Sequence, residues 1–447
     1  MRPYPRRVRA LLASPILLLV LVSSLFVAVH VPQNTQISPL DEYVYIDYLS
    51  KVPTQGFVRS GEETGDLARS EIACRGVITY GTYGDPCGAP THDSDSLYPY
   101  AGQTGADLYT PLYFATTWVF AQPLVAAGVG LLDAGRLVGM VWLSLGTCLL
   151  FGLLRALGTP RPIALGLPLL VVATPAMFWA TTYISTDAPT LAVSAGVAWA
   201  GVAIHQRRLP ALWLPFLAVL AVLFKLQNLG IVGVVAVGLI VMRIVDLSRG
   251  HRQTLRGSRG LATAKAVVRD RLVWTSLLAV VAVFAAQAAW LVFRSGEALR
   301  GVVRAQIDSV QGQFSATSLL SESLKFVFTV GQGGTSGNLI GIAVAALLTA
   351  ASLAAIVGVL LRPQGMPAST VVVAGVTLAV ALAMGPVLVI ATTLAVGYSV
   401  PLPERYGISL LPAFIACIGL FLVNSGKRTG TAVAIMGVGA AVLATLT

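Results

Sequence analysis

Residues 11–31 read LLASPILLLVLVSSLFVAVHV and directly follow a stretch carrying Arg2, Arg6, Arg7 and Arg9. A run of about 20 apolar residues, rising roughly 1.5 Å per residue, reaches across a hydrocarbon core of about 30 Å. Lipid offers no partner to free backbone N–H and C=O groups, so the run must be a helix. It is longer than the apolar region of a secretory signal and lacks a small-x-small cleavage site, so the sequence predicts an uncleaved anchor.

The pattern recurs along the chain. Hydrophobic residues make up 56% and charged residues only 11%, far below the roughly 25% charged of a soluble globular chain. After Leu11–Val31, the runs predict spans at Leu137–Leu154, Pro162–Ala180, Ala188–Ile204, Leu212–Phe224, Leu229–Val245, Leu272–Phe293, Asn338–Leu361, Thr370–Val396, Tyr406–Val423 and Thr429–Leu446. The expected fold is therefore a single all-α polytopic domain of about eleven transmembrane helices filling residues 1–447.

Charge sets the expected orientation. With the basic amino terminus in the cytoplasm and sides alternating, only Asp246 and Asp270 of the 19 acidic residues fall inside, and most of the 30 Lys and Arg do too. That is the positive-inside pattern. The net charge of +11 lies in short loops, where it orients the protein, so nucleic acid is not an expected partner. The largest inner segment, 243–271, reads as an orientation anchor touching anionic lipid.

Two extracytoplasmic segments exceed what a connection needs: 32–136 and 294–337. Within the first, Thr110–Val129 is apolar but interrupted by Pro111, Gln122 and Pro123, and is expected to be a helix lying on the outer leaflet. Cys74 and Cys87 share this segment. In an oxidising compartment they are expected to pair as a disulfide, while the other reading is two free thiols. His92 is the only other soft ligand nearby, which argues against zinc. The second segment, with Arg300, Arg304 and Lys325, either binds a donor substrate or lies on lipid. Gly331-Gln332-Gly333-Gly334-Thr335-Ser336-Gly337 lacks the Gly-Lys-Ser/Thr of a phosphate loop and reads as a flexible connection.

Four charged positions could carry chemistry. Asp41 and Glu42 follow Pro39, where a new helix can open with Tyr and Ile periodicity seating it on the membrane surface; the plain reading is an acidic N-cap. At a bilayer edge among aromatics, Asp41 could take a proton from a hydroxyl. Asp187, in Ser185-Thr186-Asp187, makes good capping chemistry for the fourth span but could also face a site. Lys225 interrupts an apolar stretch and either snorkels or holds a phosphate as a point charge. Arg405, in Pro403-Glu404-Arg405-Tyr406, either pairs with Glu404 or snorkels, or offers its planar fork to phosphate oxygens. Together they put two carboxylates and two cations at one membrane level.

On these residues the chain resembles the GT-C superfamily of membrane glycosyltransferases, which use sugars carried on polyprenyl phosphate. The likeness rests on Asp41-Glu42 opening the first outer loop and on Tyr109-Thr110-Pro111-Leu112-Tyr113 ahead of a surface helix and a span opening with Arg136. It also rests on Asp187 after the third span, and on Arg405-Tyr406 with Leu411-Pro412 opening a late span. Thr110 stands where the family's motif has its first proline, and no large outer domain is expected after the last span. The resemblance implies Asp41 as general base with Glu42 supporting it or a divalent ion, and Lys225, Arg405 and Tyr406 gripping the donor phosphate. Asp187 and Tyr113 would orient the acceptor or support a divalent ion. It further implies a polyprenyl-phosphate sugar donor, a cell-envelope glycan or glycolipid acceptor, inversion at the anomeric centre, and a site on the extracytoplasmic face of a bacterial plasma membrane. The competing function is a transporter or lipid flippase. It would need polar residues at mid-span, where few stand beyond Gln287, and internal repeats, of which none is visible.

Overall fold

The computed structural model describes residues 14–252, 259–300, 315–334, 337–361, 366–396 and 401–447. Arg304, Thr335 and Ser336 lie outside them. The described residues are helical, with only isolated bridges such as Ile37 to Val77 in place of a sheet. In chain order the helices are α1 (Pro15–Gln33), α2 (Glu42–Gln55), α3 (Asp66–Arg75), α4 (Leu112–Ala126), α5 (Leu131–Leu137), α6 (Gly139–Ala156), α7 (Arg161–Val172), α8 (Pro175–Thr181) and α9 (Thr190–His205). They continue with α10 (Trp213–Phe224), α11 (Leu229–Arg252), α12 (Arg259–Arg269), α13 (Arg271–Gly296), α14 (Ala316–Phe328), α15 (Leu339–Leu361), α16 (Ala368–Val396), α17 (Leu411–Phe421) and α18 (Lys427–Leu446). Among the described residues, 8 helices are long and apolar enough to cross a membrane, or 9 if one bent pair counts as a single span. The chain is a multi-pass membrane protein.

Packing follows the small residues. Helix α18 lies on α7 where Gly166 and Gly437 meet; a Cβ on Gly437 would come within 2.3 Å of the Gly166 carbonyl oxygen. Close backbone approach of this kind is how apolar helices gain contact energy in lipid. Inside the bundle Ser23 of α1 and Thr147 of α6 hydrogen-bond at 3.1 Å, so neither hydroxyl is stranded.

The expected third span is not one straight helix. It breaks between α7 and α8 with a bend of 64°. Thr174 accepts from the Met177 N–H to cap α8, and Pro175 occupies its first turn, where a missing N–H costs nothing. The bend carries the chain to the non-helical stretch after Thr181. There Gly139 lets α6 approach so closely that a Cβ would sit 1.9 Å from the Thr181 carbonyl oxygen.

The connection from α1 to α5 folds into a unit with its own core. Tyr48 and Phe114 stack at 4.0 Å, and Ile37, Leu49, Ile72 and Ile184 are fully buried around them. This corrects the expectation that α2 rests on the membrane surface: Tyr43, Tyr45, Tyr48, Leu49 and Val52 are all buried, and α2 packs against α4 inside the unit. Its aromatic residues seal protein against protein. Cys74 and Cys87 are joined in a disulfide with Cα atoms 4.6 Å apart. Arg294, on α13, donates to the buried Asp107 at 2.5 Å, tying that helix to the long connection.

Candidate functional site

Asp41, Asp187, Lys225 and Arg405 come from the start of α2, the α8–α9 turn, the α10–α11 break and the 3-10 turn Glu404–Leu410, and they meet in one cluster. Arg405 Nη2 donates to Asp41 Oδ2 at 2.7 Å. Its Nε stands 3.4 Å from Asp187 Oδ2, and Lys225 Nζ donates to Asp187 Oδ1 at 2.5 Å. The charges alternate along the cluster: Asp41, Arg405, Asp187, Lys225. Asp41 is its open member, its side chain 34% exposed against 11% for Arg405 and 4% for Asp187.

Local structure places each group. Asp41 has φ 65° and ψ 8°, the left-handed region, and makes no side-chain cap to α2. Asp and Asn tolerate that region better than other side chains, though not freely. Asp187 does not cap either; α9 begins after Pro189 without a side-chain cap. Both carboxylates are thus free of the capping duty their positions would suggest. Lys225 is extended, φ −162° and ψ 132°, where α10 ends and the 3-10 turn Leu226–Asn228 begins. It is 4% exposed, so it does not snorkel, and its ammonium lies 5.2 Å from the centroid of the Tyr406 ring. Arg405 pairs with Asp41 and Asp187 rather than with its neighbour Glu404. Its Nε is buried and faces Asp187 without a formed hydrogen bond.

Glu42 sits behind this cluster. Its Oε1 accepts from Arg136 Nε at 2.8 Å and Ile184 N at 2.9 Å. Its Oε2 accepts from Arg136 Nη2 and Ser38 N, both at 2.8 Å. Glu42 and Arg136 are both 0% exposed, and four donors use up the acceptor sites of the carboxylate. Arg136 also donates from Nη1 to the carbonyl of Asn34 and from Nη2 to that of Gln36. One ion pair therefore fixes the turn before α2, the last turn of α5 and the turn before Asp187.

Tyr113 also lies behind the site, 2% exposed, its hydroxyl accepting from Ser185 N at 3.0 Å. Thr110 ties the same motif to the last turn of α10, next to Lys225, by donating to the Leu223 carbonyl. Lys325 donates to Glu322 Oε1 and to the Leu402 carbonyl, both at 2.6 Å, bracing the segment that leads into Arg405.

The wall around Asp41 is phenolic. Tyr45 donates to the Tyr109 hydroxyl at 2.9 Å, and its own hydroxyl stands 3.4 Å from Asp41 Oδ2. Burial, reinforced by the Asp41 charge, pushes both phenols well above the ordinary value. Tyr100 is pushed up to about 12 for the same reasons. These hydroxyls stay protonated and able to donate at any physiological pH. Sequence reasoning overlooked Tyr45 and the pairing of Arg136, although Tyr45 stands one helical turn from Asp41, where side chains meet.

A divalent ion does not fit this donor set. Glu42 has no acceptor site to spare, Asp41 and Asp187 already face cations, and no three His, Cys, Asp or Glu side chains gather among the described residues. What the cluster can do is take a proton at Asp41 and meet an incoming anion with two cations. No protein-family model matches the chain, and no curated protein matches it.

Proposed function

We propose that this protein is a membrane glycosyltransferase that moves a sugar from a polyprenyl-phosphate carrier to a cell-envelope glycan or glycolipid. In this reading the site faces the extracytoplasmic side of a bacterial plasma membrane, the amino terminus is cytoplasmic, and short helices α9 and α10 join the longer ones and the bent pair to make eleven spans.

The observation that carries the reading is the Asp41–Arg405–Asp187–Lys225 cluster, assembled from four distant stretches of chain. Asp41 accepts the proton of the acceptor hydroxyl, the freed oxygen attacks the anomeric carbon, and the carbon–oxygen bond to phosphate breaks from the opposite side. The departing lipid phosphate keeps the bonding pair, and its charge is met by Arg405 and Lys225. A phosphate leaves without help from an acid, so one base and a cationic clamp suffice, and the anomeric centre inverts. Tyr406 lies beneath both cations. Glu42, Arg136 and Tyr113 position the carboxylate turns rather than touch substrate.

The test is Asp41→Asn, which keeps the side-chain shape and tolerates the left-handed backbone. In membranes supplied with polyprenyl-phosphate sugar, it should abolish transfer at normal expression. Near-normal transfer would overturn the assignment, and lipid or sugar flux in proteoliposomes without transfer would favour a transporter.

A further inference from the structure

At the end of the bundle opposite the carboxylate cluster, α9, α11, α16 and α17 enclose a cavity of about 400 Å³, lined by apolar side chains including Ala198, Val235, Met242, Val373 and Ala416. Helix α9 alone, 16 residues long, separates the two ends by about 24 Å. The volume lies within the usual range for an amphiphilic ligand's pocket. The cavity does not end in apolar surface. His205 lines both it and an adjoining cleft of about 650 Å³ whose walls carry Arg207, Arg208, Arg243 and Arg271 together with Asp246 and Asp270.

The charges in the cleft do not cancel. Asp270 is committed, accepting from Arg243 Nε at 2.6 Å and capping α13 through Leu272 N at 2.9 Å. Arg207, Arg208 and Arg271 enter no ion pair among the described residues, which leaves Asp246 as the one uncommitted carboxylate of the cleft. Arg207 also holds the left-handed φ of 59° in the turn that closes α9, a conformation that a long side chain does not favour by itself.

We infer that the cavity and cleft together form a binding site for an anionic phospholipid of the leaflet opposite the carboxylate cluster. One acyl chain occupies the apolar cavity and the phosphate lies among Arg207, Arg208 and Arg271. Basic pockets between spanning helices take anionic headgroups by charge, and the contiguous apolar cavity distinguishes a lipid from a soluble anion. The site is independent of the glycosyl-transfer reading.

The full chain, purified and exchanged with mixed vesicles of phosphatidylglycerol and phosphatidylcholine of matched chains, tests this by native mass spectrometry. Phosphatidylglycerol should be retained over phosphatidylcholine by about tenfold or more. The double variant Arg207→Gln/Arg208→Gln should lose that preference. Gly238→Leu should reduce retention of the lipid, because Gly238 lines the cavity and a Cβ there meets nothing within 4 Å. Inorganic phosphate should not displace the lipid. Equal retention of the two lipids, unchanged retention in a folded Gly238→Leu, or full displacement by inorganic phosphate would each overturn the proposal. The arginine pair lies on an exposed turn and carries the test by itself should Gly238→Leu fail to fold.

Discussion

Arg405 and Asp41 are 364 residues apart in sequence, yet the guanidinium donates to the carboxylate at 2.7 Å. The same guanidinium reaches toward Asp187 at 3.4 Å, so one planar group spans two carboxylates brought in by different turns. A lysine has the charge but neither the fork nor the reach to serve both. Arg405→Lys should therefore fold, yet lower glycosyl transfer by about 100-fold, in the range seen when one oriented donor to a developing negative charge is lost. Steady-state transfer measured on purified protein checks this. Activity within a few-fold of the parent would mean that the bridging geometry is dispensable.

The Glu42–Arg136 pair makes a different prediction, because neither residue is exposed at all. Arg136→Met strands a buried carboxylate and should cost about 3–5 kcal/mol. The double variant Glu42→Gln/Arg136→Met removes the stranded charge and should recover part of that loss, though transfer stays impaired because the Ser38 and Ile184 amides lose a charged acceptor. Thermal unfolding in detergent compares the two. A double variant no more stable than the single would show that the pair's role is not electrostatic.

The sequence carried some of this and hid the rest for a physical reason. Hydropathy and charge vary along one dimension, so α1, α13, α15, α16 and α18 stand close to the expected boundaries. The 64° break after α7 was not expected, because Thr174-Pro175 inside an apolar run reads equally well as a tolerated proline. Asp41, Asp187, Lys225 and Arg405 were each legible as charges where charge is expensive. Their pairing was not, since contacts at such separations depend on how helices pack. The same holds for Glu42, whose saturation by Arg136, Ser38 and Ile184 turns an expected partner of the base into a positioning group.

Tyr45, Tyr48, Tyr100 and Tyr109 give a pH dependence. Burial raises each phenol above its ordinary value of 10.0, Tyr100 to about 12. A folded state that resists losing these protons is unaffected below pH 10, and loses stability as pH rises above the unfolded value, because only the unfolded chain then ionises. Thermal unfolding of the long connection should be flat from neutral pH to about 9 and fall steeply above 10. Phenolate absorbance from these residues should appear with unfolding rather than before it. Full ionisation in the still-folded protein would show that the phenols are not enclosed.

Lys225 and Asp187 lie 2.5 Å apart, their side chains 2% and 4% exposed. Removing either leaves the other without its nearest countercharge, so Lys225→Met and Asp187→Asn should each destabilise the protein. Combining them removes both charges, and the double variant should then be more stable than the sum of the singles by about 1–3 kcal/mol. Transfer should behave differently. With Lys225 absent, Asp187 competes for Arg405 alone and draws it from the phosphate position, so KM for the polyprenyl-phosphate donor should rise in Lys225→Met. Donor binding should not return in the double variant, because one of two cations is still missing. Strict additivity of the stability losses, within about 0.5 kcal/mol, would show that the two side chains are not coupled. A donor KM restored by Asp187→Asn would show that Lys225 serves only to neutralise Asp187 and never touches phosphate.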